Sequence, residues 1–146
     1  GGFFKEFELS LIAADERDII RLRTNVRKED VYLYRIGLTP QAMRSLFLAY
    51  AAKANSLADT PRWYNTITAN CTTIVYEMVK HIVPGLPLDT RLLFSGYLPE
   101  YIKDVGGLVP GHSLEELRRT GRIADRAIAA DRDPRFSQAI RTGMID

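Results

Sequence analysis

The sequence lacks the features that mark several large classes of protein. It holds a single cysteine among 146 residues, which excludes an internal disulfide framework. It contains no run near the roughly 20 apolar residues that a membrane-spanning helix needs. Its formal net charge is only +2, from 20 Lys and Arg against 18 Asp and Glu, so nucleic acid is not predicted as a partner.

The remaining composition is that of an ordinary globular protein, with 46% hydrophobic and 26% charged residues. A chain of this length buries enough surface for one core, so a single domain over residues 1–146 is predicted. The chain opens at Gly1-Gly2-Phe3-Phe4 without a methionine and runs directly into strand-like sequence. We therefore expect a fragment that is truncated at its N-terminus.

The first third of the chain favours β structure. Phe7–Ile12 is rich in apolar residues, and Asp18–Thr24 and Asp30–Ile36 alternate with a period near two. Asn25–Glu29 is a polar connection of hairpin length. The pattern predicts an antiparallel meander of three strands, and with the helices that follow it an α+β fold.

Two amphipathic helices follow. Thr39-Pro40 is typical of a helix start, and Asp59-Thr60-Pro61 ends that helix. A second helix is predicted from Cys71 to Val83, before Pro84-Gly85. The first helix carries apolar residues at three-and-four spacing, which predicts a buried stripe. These residues are Met43, Leu46, Phe47, Tyr50, Ala51, Ala54 and Leu57.

The C-terminal third is predicted to be helical. A short helix is expected near Pro99–Asp104, and Ser113 resembles an N-cap. The segment from Leu114 to Ile145 is rich in Arg and Ala and is interrupted near Asp133-Pro134, which indicates two short helices. Residues 114–146 are therefore interpreted as a peripheral helical segment of the same domain.

Cys71 is the candidate with the clearest chemistry. A thiol in the first turn of a helix faces unpaired amide groups and the positive end of the helix dipole, and both favour a thiolate. Its own amide could help to bind an oxyanion. Asn70 is placed to cap the helix, and Thr72 is a weaker candidate for that role. An alternative interpretation makes Cys71 a small, buried apolar side chain.

A base for this thiol is harder to find. His81 follows Cys71 by ten residues, which is about 15 Å along a helix, so it cannot reach the sulfur. His112 lies in a Gly-rich loop and could approach only through tertiary folding. The aromatic residues Trp63 and Tyr64 could line a pocket or could serve only as packing.

No metal or other cofactor is predicted. One Cys and two distant His do not form a zinc site. The spacing of the acidic residues does not match a loop of calcium ligands.

Six blocks, in this order and spacing, resemble the Lnb N-terminal periplasmic domain family of bacteria. The blocks are Glu8-Leu9, Ala14-Asp15-Glu16-Arg17-Asp18, Arg21-Leu22-Arg23-Thr24-Asn25, Glu29-Asp30-Val31-Tyr32-Leu33-Tyr34, Trp63-Tyr64-Asn65 and Asn70-Cys71-Thr72-Thr73. The resemblance continues through Leu93 to Tyr97 and into the Arg-rich tail. It therefore covers nearly the whole chain.

The resemblance implies a permuted papain-like fold, similar to NlpC-type peptidases and lecithin:retinol acyltransferase. It implies that Cys71 is the nucleophile of an N-acyl transfer to bacterial lipoproteins through a thioester. Asn65, Asn70 and Thr72 match the motif around the cysteine. It also implies a histidine base in a strand upstream of Phe7-Glu8-Leu9, and this chain begins after that point.

The sequence thus predicts a thiol-dependent acyltransferase at Cys71 that is inactive without the upstream histidine. Its expected donor and acceptor are lipids or lipoproteins, and no nucleic acid is expected. The expected location is the periplasm, with attachment to the inner membrane through parts of the full-length protein that are missing here. Two alternatives stay open, a cysteine peptidase or amidase and a non-catalytic periplasmic binding or assembly module. The segment from Pro61 to Ala69 is expected to pack against the helix start and shape its pocket.

Overall fold

A computed structural model describes residues 6–66, 68–93 and 95–146, with the side chain of Ser95 left out. The described residues divide into two compact units. The first unit comprises the described part of Gly1–Ile12 together with Leu38–Gly107, and the second comprises Ala13–Gly37 and Leu108–Asp146. The residues Gly1-Gly2-Phe3-Phe4, on which the expectation of a truncated start was based, lie outside the described part. The prediction of one domain over residues 1–146 stays a prediction.

The first unit is built on two longer helices. Helix α2 spans Pro40–Asp59 and helix α3 spans Cys71–Val79. The two helices are in contact, and Lys53 Nζ lies 3.9 Å from Glu77 Oε2 between them. Short 3₁₀ turns at Thr90–Leu93 and Ser95–Tyr97 then lead into helix α4, Leu98–Asp104.

The start of α2 follows the sequence prediction. The Thr39 side chain accepts a hydrogen bond from the Ala42 amide, and Pro40 occupies the first helical turn, where its missing amide hydrogen costs least. The predicted buried stripe of this helix is wrong for most of its length. Leu57 is buried, whereas Met43, Phe47 and Tyr50 are exposed in this chain.

The second unit contains helix α1 at Glu16–Arg21, which continues into a π-helical turn at Leu22–Val26. After Leu108 come helices α5 at Leu114–Gly121, α6 at Ala124–Ala129 and α7 at Phe136–Ala139. Segment 114–146 therefore carries three short helices where two were expected. It also supplies the buried cluster of this unit, which consists of Ile123, Ala127, Ala130, Phe136 and Ile140.

The predicted α+β fold with an antiparallel β meander is wrong. Residues 6–66, 68–93 and 95–146 contain helices and isolated β-bridges but no β-strand. The permuted papain-like fold was expected to consist of that meander packed on a central helix, so the prediction of this fold is wrong as well. Phe7–Ile12 forms only one bridge, and Asp30–Ile36 forms two.

Asp18–Thr24, predicted as a strand, is helical for a local reason. The Asp15 side chain accepts a hydrogen bond from the Arg17 amide and caps α1. Ile20 and Thr24 are spaced by four residues, so on a helix both face the core, where Thr24 is buried and Ile20 packs against the buried cluster. A short apolar run is compatible with the spacing of a strand or of a helix, and here the cap and the core contacts favour the helix.

Candidate functional site

Asn70 fixes the first turn of helix α3. Its side-chain oxygen accepts hydrogen bonds from the amides of Thr72, at 2.8 Å, and of Thr73, at 2.9 Å. The Thr73 hydroxyl accepts a hydrogen bond in return from the Asn70 amide at 2.9 Å, which completes a capping box. Asn70 and Thr72 are both buried, so the turn is held from inside the unit.

A tight loop positions this cap. Asn65 and Ala69 form two main-chain hydrogen bonds, with N···O distances of 3.1 and 3.0 Å. The Asn65 side-chain oxygen also accepts a hydrogen bond from the Thr68 amide at 2.9 Å. The Asn70 side-chain amide donates to the Thr66 carbonyl oxygen at 2.6 Å. The loop and the helix start are therefore one hydrogen-bonded assembly.

Cys71 is the first residue of α3, and it is exposed. The interpretation of this residue as a buried apolar side chain is therefore wrong. The cap uses the amides of Thr72 and Thr73 and leaves the Cys71 amide out of its hydrogen bonds. The Thr72 hydroxyl lies 3.9 Å from the Cys71 sulfur.

Cys71 borders a cavity of about 360 Å³, within the size range of small-molecule sites. Cys71, Ile74 and Val75 share one face of α3 and form one wall. An extended segment at residues 7–11 forms another wall. Tyr50 and Tyr64 complete the lining of the cavity. The lining residues are Phe7, Glu8, Leu9, Ser10, Leu11, Tyr50, Tyr64, Cys71, Ile74 and Val75.

Two hydrogen bonds hold the extended segment against the loop before α3. The Leu9 amide donates to the Arg62 carbonyl oxygen, and the Tyr64 amide donates to the Phe7 carbonyl oxygen, each at 2.7 Å. Glu8 and Trp63 face each other in the resulting antiparallel bridge. This pairing brings residues 7–11, which are distant in sequence, beside the thiol.

Only some of the residues that were predicted to surround the thiol line the cavity. Tyr64 lines the cavity, Asn70 caps the helix and Thr72 contacts the sulfur. Asn65 closes the loop and does not line the cavity. Trp63 is 46% exposed and is likewise absent from the lining.

The cavity lining also includes residues that sequence reasoning missed. Tyr50 was assigned to a buried stripe, and residues 7–11 were assigned to a strand. The spacing of apolar residues did not predict that Tyr50 or residues 7–11 line the cavity, because both regions meet Cys71 only through tertiary contacts.

No histidine is among the residues that line the cavity. His81 lies just after the C-terminal end of α3 and is exposed. In the second unit, His112 Nδ1 is 3.8 Å from Glu116 Oε2. The described lining therefore supplies no histidine base for Cys71.

Within the described residues, no group of three or more His, Cys, Asp and Glu side chains is arranged to hold a metal ion. No helix in residues 6–66, 68–93 and 95–146 combines the length and the apolar character needed to cross a membrane.

Comparison with known proteins gives a match to a family model. The model of a family described as the Lnb N-terminal periplasmic domain matches residues 1–96, which include the extended segment, the loop and helix α3. No curated protein matches the chain. No solved structure matches it.

Proposed function

The chain belongs to the Lnb N-terminal periplasmic domain family, and on that basis we propose that it is part of a thiol acyltransferase whose acyl carrier is Cys71. The family name describes a periplasmic domain, so the proposed reaction takes place in the periplasm. We further propose that the full-length protein is attached to the inner membrane. The acyl donor and acceptor would then be lipids or lipoproteins at that surface.

The main support for the proposal is the position of Cys71. This residue is exposed, lies at a capped helix start and borders a cavity. The Cys71 amide, which the cap leaves unused, lies at the positive end of the helix dipole and can help to stabilise the oxyanion that forms when the thiol attacks a carbonyl. Most of the residues that line the cavity are apolar, which suits the aliphatic part of an acyl group.

The proposed reaction has two steps, acylation of Cys71 and transfer of the acyl group to an amine. The Cys71 sulfur attacks the carbonyl carbon of an ester, a C–S bond forms, and the C–O bond to the leaving alkoxide breaks. The thiol proton passes through a base to that alkoxide. The nitrogen of an amine then attacks the thioester carbon, a C–N bond forms, the C–S bond breaks, and the proton that the nitrogen loses passes to the sulfur.

The base that the resemblance implies is a histidine upstream of Phe7-Glu8-Leu9. Phe7, Glu8 and Leu9 line the cavity beside Cys71, so a residue that precedes them in sequence would approach the thiol from the same side. A positioned base contributes about 10² to 10⁴ in rate. We therefore expect residues 1–146 alone to take up an acyl group slowly.

The test is single-turnover acylation of the 146-residue chain with p-nitrophenyl octanoate. We expect one octanoyl group per chain, removable by hydroxylamine as a thioester is, and none on Cys71→Ser. Because Cys71 is the sole cysteine, the adduct has one possible sulfur. A chain that reacts rapidly with iodoacetamide and yet forms no thioester would contradict the proposal and favour the non-catalytic module.

A second measurement separates transfer from hydrolysis. The isolated octanoyl chain is mixed with a short peptide that carries a free N-terminal amine, and the products are identified by mass. Octanoyl-peptide is the expected product. Free octanoic acid without octanoyl-peptide would contradict acyl transfer and favour the peptidase or amidase alternative.

A further inference from the structure

Tyr50 joins the Cys71 cavity from a different helix. It lies in the middle of α2, is 36% exposed, and lines the cavity together with Cys71. Tyr64 is the other tyrosine in the lining, and it comes from the loop that precedes α3. The wall formed by Ile74 and Val75 is apolar, so the two tyrosines share the cavity with aliphatic side chains.

The Tyr50 hydroxyl differs from those of two other tyrosines in the first unit. The Tyr76 hydroxyl donates to the Leu86 carbonyl oxygen at 3.2 Å, and the Tyr101 hydroxyl donates to the Pro87 carbonyl oxygen at 2.8 Å. For Tyr50, no hydrogen-bond partner is found among residues 6–66, 68–93 and 95–146. The described residues therefore leave this donor unengaged, at a residue that lines the cavity.

The protonation state of Tyr50 suits a donor. Partial burial raises the pKa of its phenol above the ordinary value, so the group keeps its proton at neutral pH. A neutral hydroxyl in a partly apolar cavity stabilises negative charge more strongly than the same group does in water.

We propose that the Tyr50 hydroxyl donates a hydrogen bond to the carbonyl oxygen of the acyl group as Cys71 attacks it. This inference rests on the proposed acylation of Cys71. In that step the carbonyl oxygen gains negative charge while the C–S bond forms, and its electron pair then re-forms the C=O bond as the C–O bond breaks and the charge departs with the leaving group. Tyr50 would thus act as a catalytic residue alongside the Cys71 amide, and it would neither gain nor lose a proton.

The experiment compares two reactions of the same sulfur. Acylation by p-nitrophenyl acetate passes through an oxyanion, whereas alkylation by iodoacetamide displaces iodide at a saturated carbon and forms none. We expect Tyr50→Phe to slow acylation by about ten-fold, a modest loss for an oxyanion donor because this site is partly open to water. Alkylation should stay within about two-fold of the unchanged chain.

Tyr76→Phe is the matched control, since it removes a tyrosine hydroxyl of the same unit that lies outside the cavity lining and preserves the ring. We expect its ratio of acylation to alkylation to equal that of the unchanged chain. Thermal unfolding of both variants checks that the fold survives the substitutions.

Three results would overturn the inference. The first is acylation of Tyr50→Phe at the unchanged rate. The second is an equal loss in both reactions, which would indicate a general change in the thiol. The third is no acylation of the unchanged chain, and this result alone would also remove the proposed function of Cys71.

Discussion

The Thr72 hydroxyl lies 3.9 Å from the Cys71 sulfur, and Thr72 is buried while Cys71 is exposed. A buried hydroxyl can orient toward a thiolate without being displaced by water. The Thr72 hydroxyl is therefore close enough to donate a hydrogen bond to the sulfur of the proposed nucleophile.

Replacing Thr72 with valine removes this hydroxyl and preserves the branched shape. We expect the alkylation of Cys71 by iodoacetamide at neutral pH to slow by about two- to five-fold, because a hydrogen bond of this kind contributes about 1 kcal/mol or less. Thr72→Ser keeps a hydroxyl and should react like the unchanged chain. Equal rates for the valine and serine variants would contradict this role.

Replacing Asn70 with alanine removes the cap of α3. The free energy of unfolding should fall by about 1 to 2 kcal/mol, because two first-turn amides lose their acceptor. Alkylation of Cys71 should also slow by about two- to five-fold, since the first turn unwinds and the sulfur loses its position at the positive end of the helix dipole.

Ser113→Ala is the matched control, because Ser113 caps α5 through an equivalent capping box with Glu116. It should lower stability by a similar amount and leave the alkylation rate unchanged. Denaturant unfolding and thiol kinetics on both variants separate the two effects. A change in alkylation in Ser113→Ala equal to that in Asn70→Ala would show that lower stability alone explains the slower reaction.

The second unit should show a pH dependence that comes from Glu16. Arg141 donates two hydrogen bonds of 2.6 Å to the Glu16 carboxylate, and these hold its pKa below the ordinary value. The folded pKa lies below the unfolded value of about 4.3, so the pair stabilises the fold above that pH. The contribution disappears as the pH falls through the folded pKa.

The corresponding variant is Glu16→Gln. Because both partners are partly exposed, it should lose no more than about 1 kcal/mol of unfolding free energy at pH 7. The difference from the unchanged chain should shrink below pH 4, as measured by urea unfolding. Arg141→Lys keeps the charge but loses the paired hydrogen bonds. Its unfolding free energy at pH 7 should therefore lie between those of Glu16→Gln and the unchanged chain. A difference that stays constant from pH 7 to pH 3 would contradict the assignment.

Gly121 lies where the chain passes very close to Leu33. A β-carbon added at Gly121 would stand 2.1 Å from the Leu33 carbonyl oxygen, and the Leu33 amide already donates to the Gly121 carbonyl at 2.8 Å. Gly121→Ala should therefore lower the free energy of unfolding by about 3 kcal/mol or prevent folding.

Gly96→Ala is its control, because nothing in the described residues lies within 4 Å of the added carbon. Its unfolding free energy should change by no more than about 0.5 kcal/mol. Gly121→Ala with unchanged thermal unfolding would contradict the close approach.

The sequence predicted three helices whose start carries a specific capping residue. Thr39-Pro40, Asn70 and Ser113 each mark a helix that is observed, because capping is a local interaction between neighbouring residues. Asp15 also caps a helix, α1, but Asp18–Thr24 was predicted as a strand from its alternation alone. Local signals at helix ends were thus more informative than short apolar runs.

The cavity could be predicted only in part. Cys71 and Tyr64 belong to neighbouring stretches of sequence, so the position of one constrains the other. Tyr50 and residues 7–11 reach the site through helix contacts and main-chain pairing, which leave no periodic pattern in the sequence. The exposure of Met43 and Phe47 was missed because spacing identifies an apolar face but not what covers it.

The capping box at Asn70 also limits how readily the first turn of α3 opens. Amides in the first turn of a helix usually exchange freely with solvent, since they have no partner inside the helix. Here the Thr72 and Thr73 amides are bound to a buried Asn70 side chain. Deuterium should therefore enter these two positions only when the whole assembly of loop and helix start opens, so their isotope uptake reports how long the thiol stays in place.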